Sequence, residues 1–177
     1  MLLILIGPSG VGKTSVQEML CRDYGYNRLL SYTTRPKRDC EIEGWDYYFV
    51  DKETFNRLKL IEKVEYNGNF YGTSWDELIR KTKKPCVAVL EVRGMTIFKA
   101  IVPSAITIKL EASRDVRLKR MLSAGRNFCD AMDRLKYDEG IFDVLTDYKI
   151  NTDNLTVSQV VCKVHDIFVR HYLNNVS

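Results

Sequence analysis

Residues 2 to 14 read LLILIGPSGVGKT, and this join of an apolar run to a glycine-rich loop constrains the fold more than any other part of the chain. Leu2 to Ile6 is continuously apolar rather than alternating, the pattern of a strand buried on both faces of a parallel sheet. Lys13 to Asp23 then carries Val16, Met19 and Leu20 at helical spacing, with Gly25 placed to stop the helix. Parallel strands need crossover connections, so a chain that opens this way is expected to be α/β with right-handed crossovers.

The loop itself, Gly7 to Thr14, fits GxxxxGK[ST] at every fixed position. Glycines let backbone N–H groups turn inward around phosphate oxygens, and the following helix offers its N-terminus. Lys13 would reach the β and γ phosphates, and the Thr14 hydroxyl would hold Mg²⁺. The competing reading, a glycine turn with a surface lysine, leaves the buried strand before it and the helix after it unexplained. A nucleoside triphosphate site is therefore expected, with ATP bound by Gly7, Pro8, Ser9, Gly10, Val11, Gly12, Lys13, Thr14 and Ser15.

Two further runs, Val87 to Val92 and Ala105 to Leu110, read as interior strands. Ser74 with Glu77, and Thr156 with Gln159, have the spacing of capping boxes that open helices. Ser31 to Lys84 departs from this rhythm, with short alternating runs in DYYFV and IEKVEY and a hairpin signal at Asn67-Gly68. It reads as a small β-rich subdomain inserted into the α/β core. Neither an internal repeat nor a Pro/Gly/Ser-rich linker is present, so one globular unit with smaller mobile appendages is expected from 177 residues that are 45% hydrophobic.

The net charge of +4 is modest and its cations are scattered, which argues only weakly for nucleic acid and suits a compact anionic ligand equally well. Five cysteines, Cys21, Cys40, Cys86, Cys129 and Cys162, are widely spaced without a CxxC pair. They fit neither a disulfide framework nor a zinc site, and point to a reducing cytoplasm. MLLILI is too short for a signal peptide or a membrane span. His165 and His171 lie six positions apart on a helix, face different ways and make no metal pair.

TTRPKRDCEIEGWDYYFV, from Thr33 to Val50, mixes arginines, carboxylates and aromatic residues. Together with GPSGVGKT, IEKVEYNGNFYGTS and VLEVRG it makes the chain resemble the guanylate kinases, which carry these motifs in the same order at nearly the same spacing. The likeness is good over about the first 95 residues and looser beyond them. It implies a P-loop three-layer α/β fold with a parallel sheet core, an inserted β-rich NMP-binding subdomain and a short helical lid. The expected boundaries are 1–31, 85–111 and 136–177 for the core, about 32–84 for the insert and about 112–135 for the lid.

A pocket for a nucleoside monophosphate must grip a dianionic phosphate and identify a base. Arg35 and Arg38 can offer planar bidentate donors, while Tyr47 and Tyr71 add hydroxyls without charge. In the resembling family the matching residues hold the substrate phosphate, and the residue matching Glu41 orders the arginine pair. Thr33 is placed in the same substrate site. Arginines beside glutamates are otherwise a solvated salt-bridge surface. Guanine needs an acceptor for its N1–H and 2-amino group and a donor for O6, and Glu62 and Thr73 match the family positions that provide them. In VLEVRG the family's two aspartates are replaced by Val89 and Glu91. Glu91 is retained as a metal ligand, whereas Val89 puts strict guanine selectivity in doubt.

Ser113 to Leu135 resembles the family's lid, with Arg126 and Arg134 as the arginines that stabilise charge in transfer. They are eight positions apart, a shorter span than the family's. Arg114, Arg117 and Arg120 on the same helix read as solvated face residues rather than catalytic ones. Asn151 matches the loop bordering adenine. Together these features imply a cytoplasmic, ATP- and Mg²⁺-dependent kinase that phosphorylates GMP or dGMP, as a monomer or homodimer without nucleic acid or membrane partners. Lys13, Arg126 and Arg134 would be its catalytic residues. Two alternatives stand beside it: a broader or deoxynucleotide-directed kinase, and a non-catalytic guanylate kinase-like interaction module.

Overall fold

The computed structural model describes residues 1–39, 41–66 and 68–174, with Tyr66 and Asn174 described by their backbone alone. Cys40 and Asn67, which entered the cysteine reading and the hairpin signal, lie outside these residues.

Five parallel strands form the central sheet: β1 (Leu2–Ile6), β2 (Asn27–Arg28), β7 (Cys86–Val89), β8 (Ile106–Glu111) and β9 (Tyr148–Asn151). Their spatial order is β2-β7-β1-β8-β9, so β1 lies at the centre and its register with β7 and β8 runs along its whole length. Every residue of β1 is buried, because alternate side chains enter opposite faces that are both covered. Leu3 and Leu5 pack with Val16 and Leu20 of α1 (Lys13–Tyr24) and with Val160, Val164 and Phe168 of α7 (Val157–Asn174). Leu2, Ile4 and Ile6 pack with Met95 and Phe98 of α4 (Val92–Ile101) and with Phe142. Burial of each such side chain is worth about 1.5–3 kcal/mol, so this sandwich fixes where β1 delivers its loop.

The expected strand over Val87 to Val92 is shorter in the structure. Leu90 still donates to the Leu5 carbonyl at 3.2 Å, but Glu91 then adopts the extended conformation of an N-cap and Val92 begins α4. Apolar positions at Met95 and Phe98, one turn apart, make a helix the better burial solution beyond that point.

The insert holds a second sheet in the order β4-β3-β6-β5, with β3 (Tyr32–Thr33), β4 (Tyr48–Phe49), β5 (Leu60–Tyr66) and β6 (Asn69–Ser74). The β5–β6 hairpin is antiparallel with a register shift between Leu60 and Glu62. That bulge re-aims the strand so that Glu62 stands opposite Thr73. A Cβ on Gly72 would lie 2.5 Å from the Glu62 carbonyl oxygen, so only glycine permits the pairing beside it. The insert also carries α2 (Lys52–Arg57), which the sequence reading did not anticipate although Asp51 caps it by accepting from the Thr54 N–H at 2.6 Å. Its other helix, α3 (Trp75–Lys81), is opened by Ser74 accepting from the Glu77 N–H. The Glu77 carboxylate does not return to the cap but binds Arg80 and Tyr48. At α7 the box closes in both directions, with Gln159 accepting from the Thr156 N–H and donating its own N–H to Thr156 Oγ1.

Between β8 and β9 the chain forms two short helices, α5 (Arg114–Ser123) and α6 (Phe128–Tyr137), joined through Gly125. Met121, Ala131 and Leu135 form a small core between them, separate from the core of the main sheet. His165 accepts or donates at Tyr26 OH over 3.1 Å and packs on Tyr24, and His171 lies edge-on to Tyr148, so both histidines serve packing. The described cysteines, Cys21, Cys86, Cys129 and Cys162, are free. Among the described residues no helix is long and apolar enough to cross a membrane.

Candidate active site

The loop leaving β1 and the two helices after β8 enclose a cavity of about 970 Å³, at the upper end of what small-ligand sites occupy. Ser9 to Val16 form one wall. Arg126 and Arg134, both exposed, stand on another, and Met121, Leu155 and Val157 supply apolar surface. Gly7 and Pro8 do not line the cavity. Their carbonyls instead accept from Lys13 Nζ at 2.5 and 3.0 Å, holding the ammonium at the base of the loop. Burial brings the Lys13 pKa down to about 8, against the attraction of Glu91 and Asp138 and with help from Arg117 and Arg134. Lys13 is thus a poorly solvated cation beside an anion-shaped loop.

Asn151 ends β9, and its side-chain oxygen accepts from the Asp153 N–H at 2.8 Å. It is not among the cavity's lining residues, whereas its neighbour Thr152 is. Thr152 is held by Arg120, which donates to Thr152 Oγ1 at 2.9 Å and to the Thr152 carbonyl at 2.7 Å.

Arg120 and Arg117 are therefore not the solvated face residues that helical spacing suggested. Arg117 donates from Nε to the Ser9 carbonyl at 2.8 Å and from Nη2 to Asp138 at 2.5 Å. Its side chain is 12% exposed and that of Asp138 is 5% exposed. Only Arg114 fits the expectation, pairing with Glu139 in the open. Nothing in sequence links Arg117 on α5 to Asp138 at the C-cap of α6, so this contact was invisible before the fold.

In the insert, Arg35 donates from Nη1 and Nη2 to the two oxygens of Glu41 at 2.9 and 2.7 Å. The same carboxylate accepts from the Arg38 N–H at 2.9 Å. The Arg35 pairing pulls the Glu41 pKa down. Arg35 lies 5.7 Å above the Tyr47 ring, and Tyr47 meets Tyr71 edge-on at 5.9 Å. Buried Thr33 accepts from the Arg35 N–H at 3.1 Å and so fixes the backbone from which that arginine springs. Arg38 is exposed. Three of the expected phosphate contacts, Arg35, Tyr47 and Tyr71, are thus gathered in one place, with Glu41 holding the arginine as the carboxylate expected to order it.

Glu62 accepts from the Thr73 N–H at 2.9 Å, and burial raises its pKa despite that bond and the nearby Arg93 charge. Thr73 is buried, its hydroxyl 2.9 Å from that of Ser31. Sequence reasoning left Ser31 out, although it lies two residues before Thr33 in SYTTR. Val89 is half-buried and packs against the main core, offering no polar atom. Glu91 is exposed at the N-cap of α4, makes no side-chain cap bond and is close enough to Lys13 for its charge to be felt. Thr14 is exposed on the first turn of α1. One hydroxyl and one carboxylate are hard oxygen donors of the kind Mg²⁺ uses when substrate phosphates and water complete its shell.

A parallel sheet in this order, with the GxxxxGK[ST] loop after its central strand and a second sheet inserted in the chain, is the fold of a P-loop phosphotransferase of the mononucleotide kinase type. Comparison with known proteins agrees. The family model described as guanylate kinase matches residues 1–168. The guanylate kinase of Chlamydia trachomatis serovar D is 30% identical over 186 residues, covering 98% of this chain and 90% of that protein. That of Listeria innocua is 31% identical, covering 98% and 89%. The crystal structure of guanylate kinase from Anaplasma phagocytophilum superposes with a TM-score of 0.64 at 26% identity, covering 96% of this chain and 85% of that one. A gluconokinase from Sinorhizobium meliloti, at 17% identity and a TM-score of 0.55, shares the fold alone. The chain belongs to the guanylate kinase family.

Proposed function

We propose that the protein transfers the γ-phosphoryl group of ATP to GMP or dGMP, giving ADP and GDP or dGDP. The observation that carries this reading is the inserted sheet: it places a bidentate Arg35–Glu41 pair beside Tyr47 and Tyr71, and a half-buried carboxylate, Glu62, opposite Thr73. That is a grip for a dianion and an acceptor for the N1–H and 2-amino edge of guanine in one element. Residues 32–84 serve as the NMP-binding subdomain and 112–135 as the lid.

The loop N–H groups and Lys13 hold the β and γ phosphates, which requires Lys13 to exchange the Gly7 and Pro8 carbonyls for phosphate oxygens. Thr14 and Glu91 would hold Mg²⁺, which neutralises phosphate charge when bound. Arg35, Arg38, Tyr47 and Tyr71 orient the acceptor phosphate, while Glu62 and the Thr73 hydroxyl read the base. An acceptor phosphate oxygen forms the new bond to the γ-phosphorus as its bond to the β,γ-bridging oxygen breaks and ADP departs. Arg126 and Arg134 close over the transferring group, stabilise its charge and exclude water. The acceptor is already an anion, so no general base is needed.

We take its partners to be small nucleotides rather than nucleic acid, and its compartment to be the cytoplasm, where free thiols persist. ADP release against a panel of GMP, dGMP, dTMP and AMP tests the assignment, with Lys13→Ala as control. Indifference to GMP and dGMP refutes it. Val89 favours one variant of the reading, a kinase broader in its base: dTMP or AMP turned over comparably with dGMP would establish that variant.

A further inference from the structure

Asp138 Oδ2 accepts two hydrogen bonds at once, from the Ser9 N–H at 2.8 Å and from Arg117 Nη2 at 2.5 Å. Arg117 also donates to the Ser9 carbonyl at 2.8 Å, so the pair holds both backbone polar atoms of one residue in the phosphate loop. Both side chains are nearly buried, and a charge-assisted contact shielded from water is far stronger than an exposed one. The neighbouring Gly10 presses on the Arg117 backbone, where a Cβ would come within 2.7 Å of the Arg117 carbonyl oxygen.

The two partners stand at the two roots of the lid. Arg117 is on α5, three residues before Arg120, which faces the same cavity. Asp138 is the C-cap of α6, and its N–H donates to the carbonyl of Arg134, four residues earlier. Residues three and four apart share a helix face, so pinning Arg117 and Asp138 sets the rotation of both helices about their axes. The segment after Asp138 is pinned as well: buried Lys109 donates to the Phe142 carbonyl at 2.9 Å.

We propose that Arg117 and Asp138 are positioning residues that lock the phosphate loop to both roots of the lid, so that the loop N–H groups and the cavity-facing Arg120 and Arg134 share one rigid frame around the triphosphate. The pair touches no reacting atom. It acts through the Ser9 peptide and through the phase of α5 and α6, and only the donor nucleotide feels it.

The inference rests on the ATP-site reading above, and titration calorimetry with a non-hydrolysable ATP analogue and with GMP separates the two. Arg117→Ala and Asp138→Ala each weaken analogue binding, and lower kcat/KM for ATP, by about tenfold, the effect of losing one charge-assisted contact. The dissociation constant for GMP stays within about twofold of that of the unaltered protein. The double variant loses no more than either single one, because the two side chains work as a unit. Asp138→Asn keeps an acceptor for the Ser9 N–H and recovers part of the loss. This isosteric variant carries the test if an alanine variant melts near the assay temperature.

Analogue affinity unchanged in the single variants, losses that multiply in the double variant, or an equal loss of GMP affinity would overturn the proposal. Failure of the unaltered protein to bind the analogue overturns the ATP-site reading and this inference with it. Normal binding by both the unaltered protein and its variants overturns this inference alone.

Discussion

Glu41 engages both terminal nitrogens of Arg35, at 2.7 and 2.9 Å, and the backbone N–H of Arg38 at 2.9 Å. One carboxylate thereby sets the plane of one guanidinium and the backbone from which a second springs. Guanidinium groups carry roughly 2 kcal/mol of rotamer entropy, so fixing them beforehand favours capture of a phosphate.

Glu41→Ala therefore raises KM for GMP by about ten- to a hundredfold, the loss of one to two charge-assisted contacts. KM for ATP and thermal stability change little, since Glu41 lies in the insert at a site with few other partners. Steady-state kinetics with each nucleotide varied in turn decides the matter. A parallel rise in both KM values would show that Glu41 holds the whole molecule rather than the acceptor grip.

Glu62 carries a pH signature. Its pKa is raised by burial, so the folded state holds its proton at pH values where the unfolded chain has released it. The penalty for ionising it is absent below the unfolded carboxylate range, grows as pH rises through the raised folded pKa, and is complete above that. Only the ionised form offers two charged acceptor oxygens to the guanine N1–H and 2-amino group, so KM for GMP climbs as pH falls through that same window. Glu62→Gln flattens this acid limb while raising KM at neutral pH. Its stability relative to the unaltered protein also improves with rising pH. Urea midpoints and GMP kinetics from acid to neutral pH check both signs, and a variant whose stability relative to the unaltered protein falls as pH rises would contradict the assignment.

The halves of the molecule differ in how far they could be read beforehand. GPSGVGKT announced its loop because strand, glycines, lysine and helix are contiguous, and each local preference points the same way. The Arg35–Glu41 pair was legible only through the resemblance to the guanylate kinases, because arginines beside glutamates are by themselves equally a solvated salt-bridge surface. Arg117 on α5 and Asp138 at the C-cap of α6 are 21 residues apart, and only the fold of α5 against α6 brings them to Ser9. On a helical projection Arg117 looks solvated, and propensity says nothing about a loop from another element arriving beside it. The overlong strand at Val87 to Val92 failed for a different reason. Valine suits a strand by propensity, but burial of Met95 and Phe98 selects the helix, and tertiary packing wins over a weak local preference.

Val89 tests whether base selectivity is set on β7. It is half-buried against the core, and an aspartate there would lose part of its hydration. Val89→Asp is expected to cost about 1–3 kcal/mol of stability and to raise discrimination for GMP over AMP by about tenfold or more, because a buried acceptor left unpaired penalises the wrong base. Competition kinetics between GMP and AMP measure the ratio. No gain in an otherwise folded variant would mean that Glu62, Thr73 and Ser31 already set the selectivity of the pocket.

Gly10 and Gly12 offer a matched pair in the phosphate loop. Both have left-handed backbones, with φ of 83° and 96°, so alanine is strained at either position by about 1–3 kcal/mol. They differ in what a side chain would meet. At Gly10 the new Cβ would lie 2.7 Å from the Arg117 carbonyl oxygen, a backbone atom on α5, whereas at Gly12 nothing lies within 4 Å. Gly10→Ala must therefore push the loop away from the lid root, and its melting temperature should fall further than that of Gly12→Ala. At about 2–4 °C per kcal/mol for a protein of this size, the excess is resolvable by calorimetry. Equal losses in the two variants would mean that the loop can retreat from α5 at no cost, and that its close approach there contributes nothing to stability.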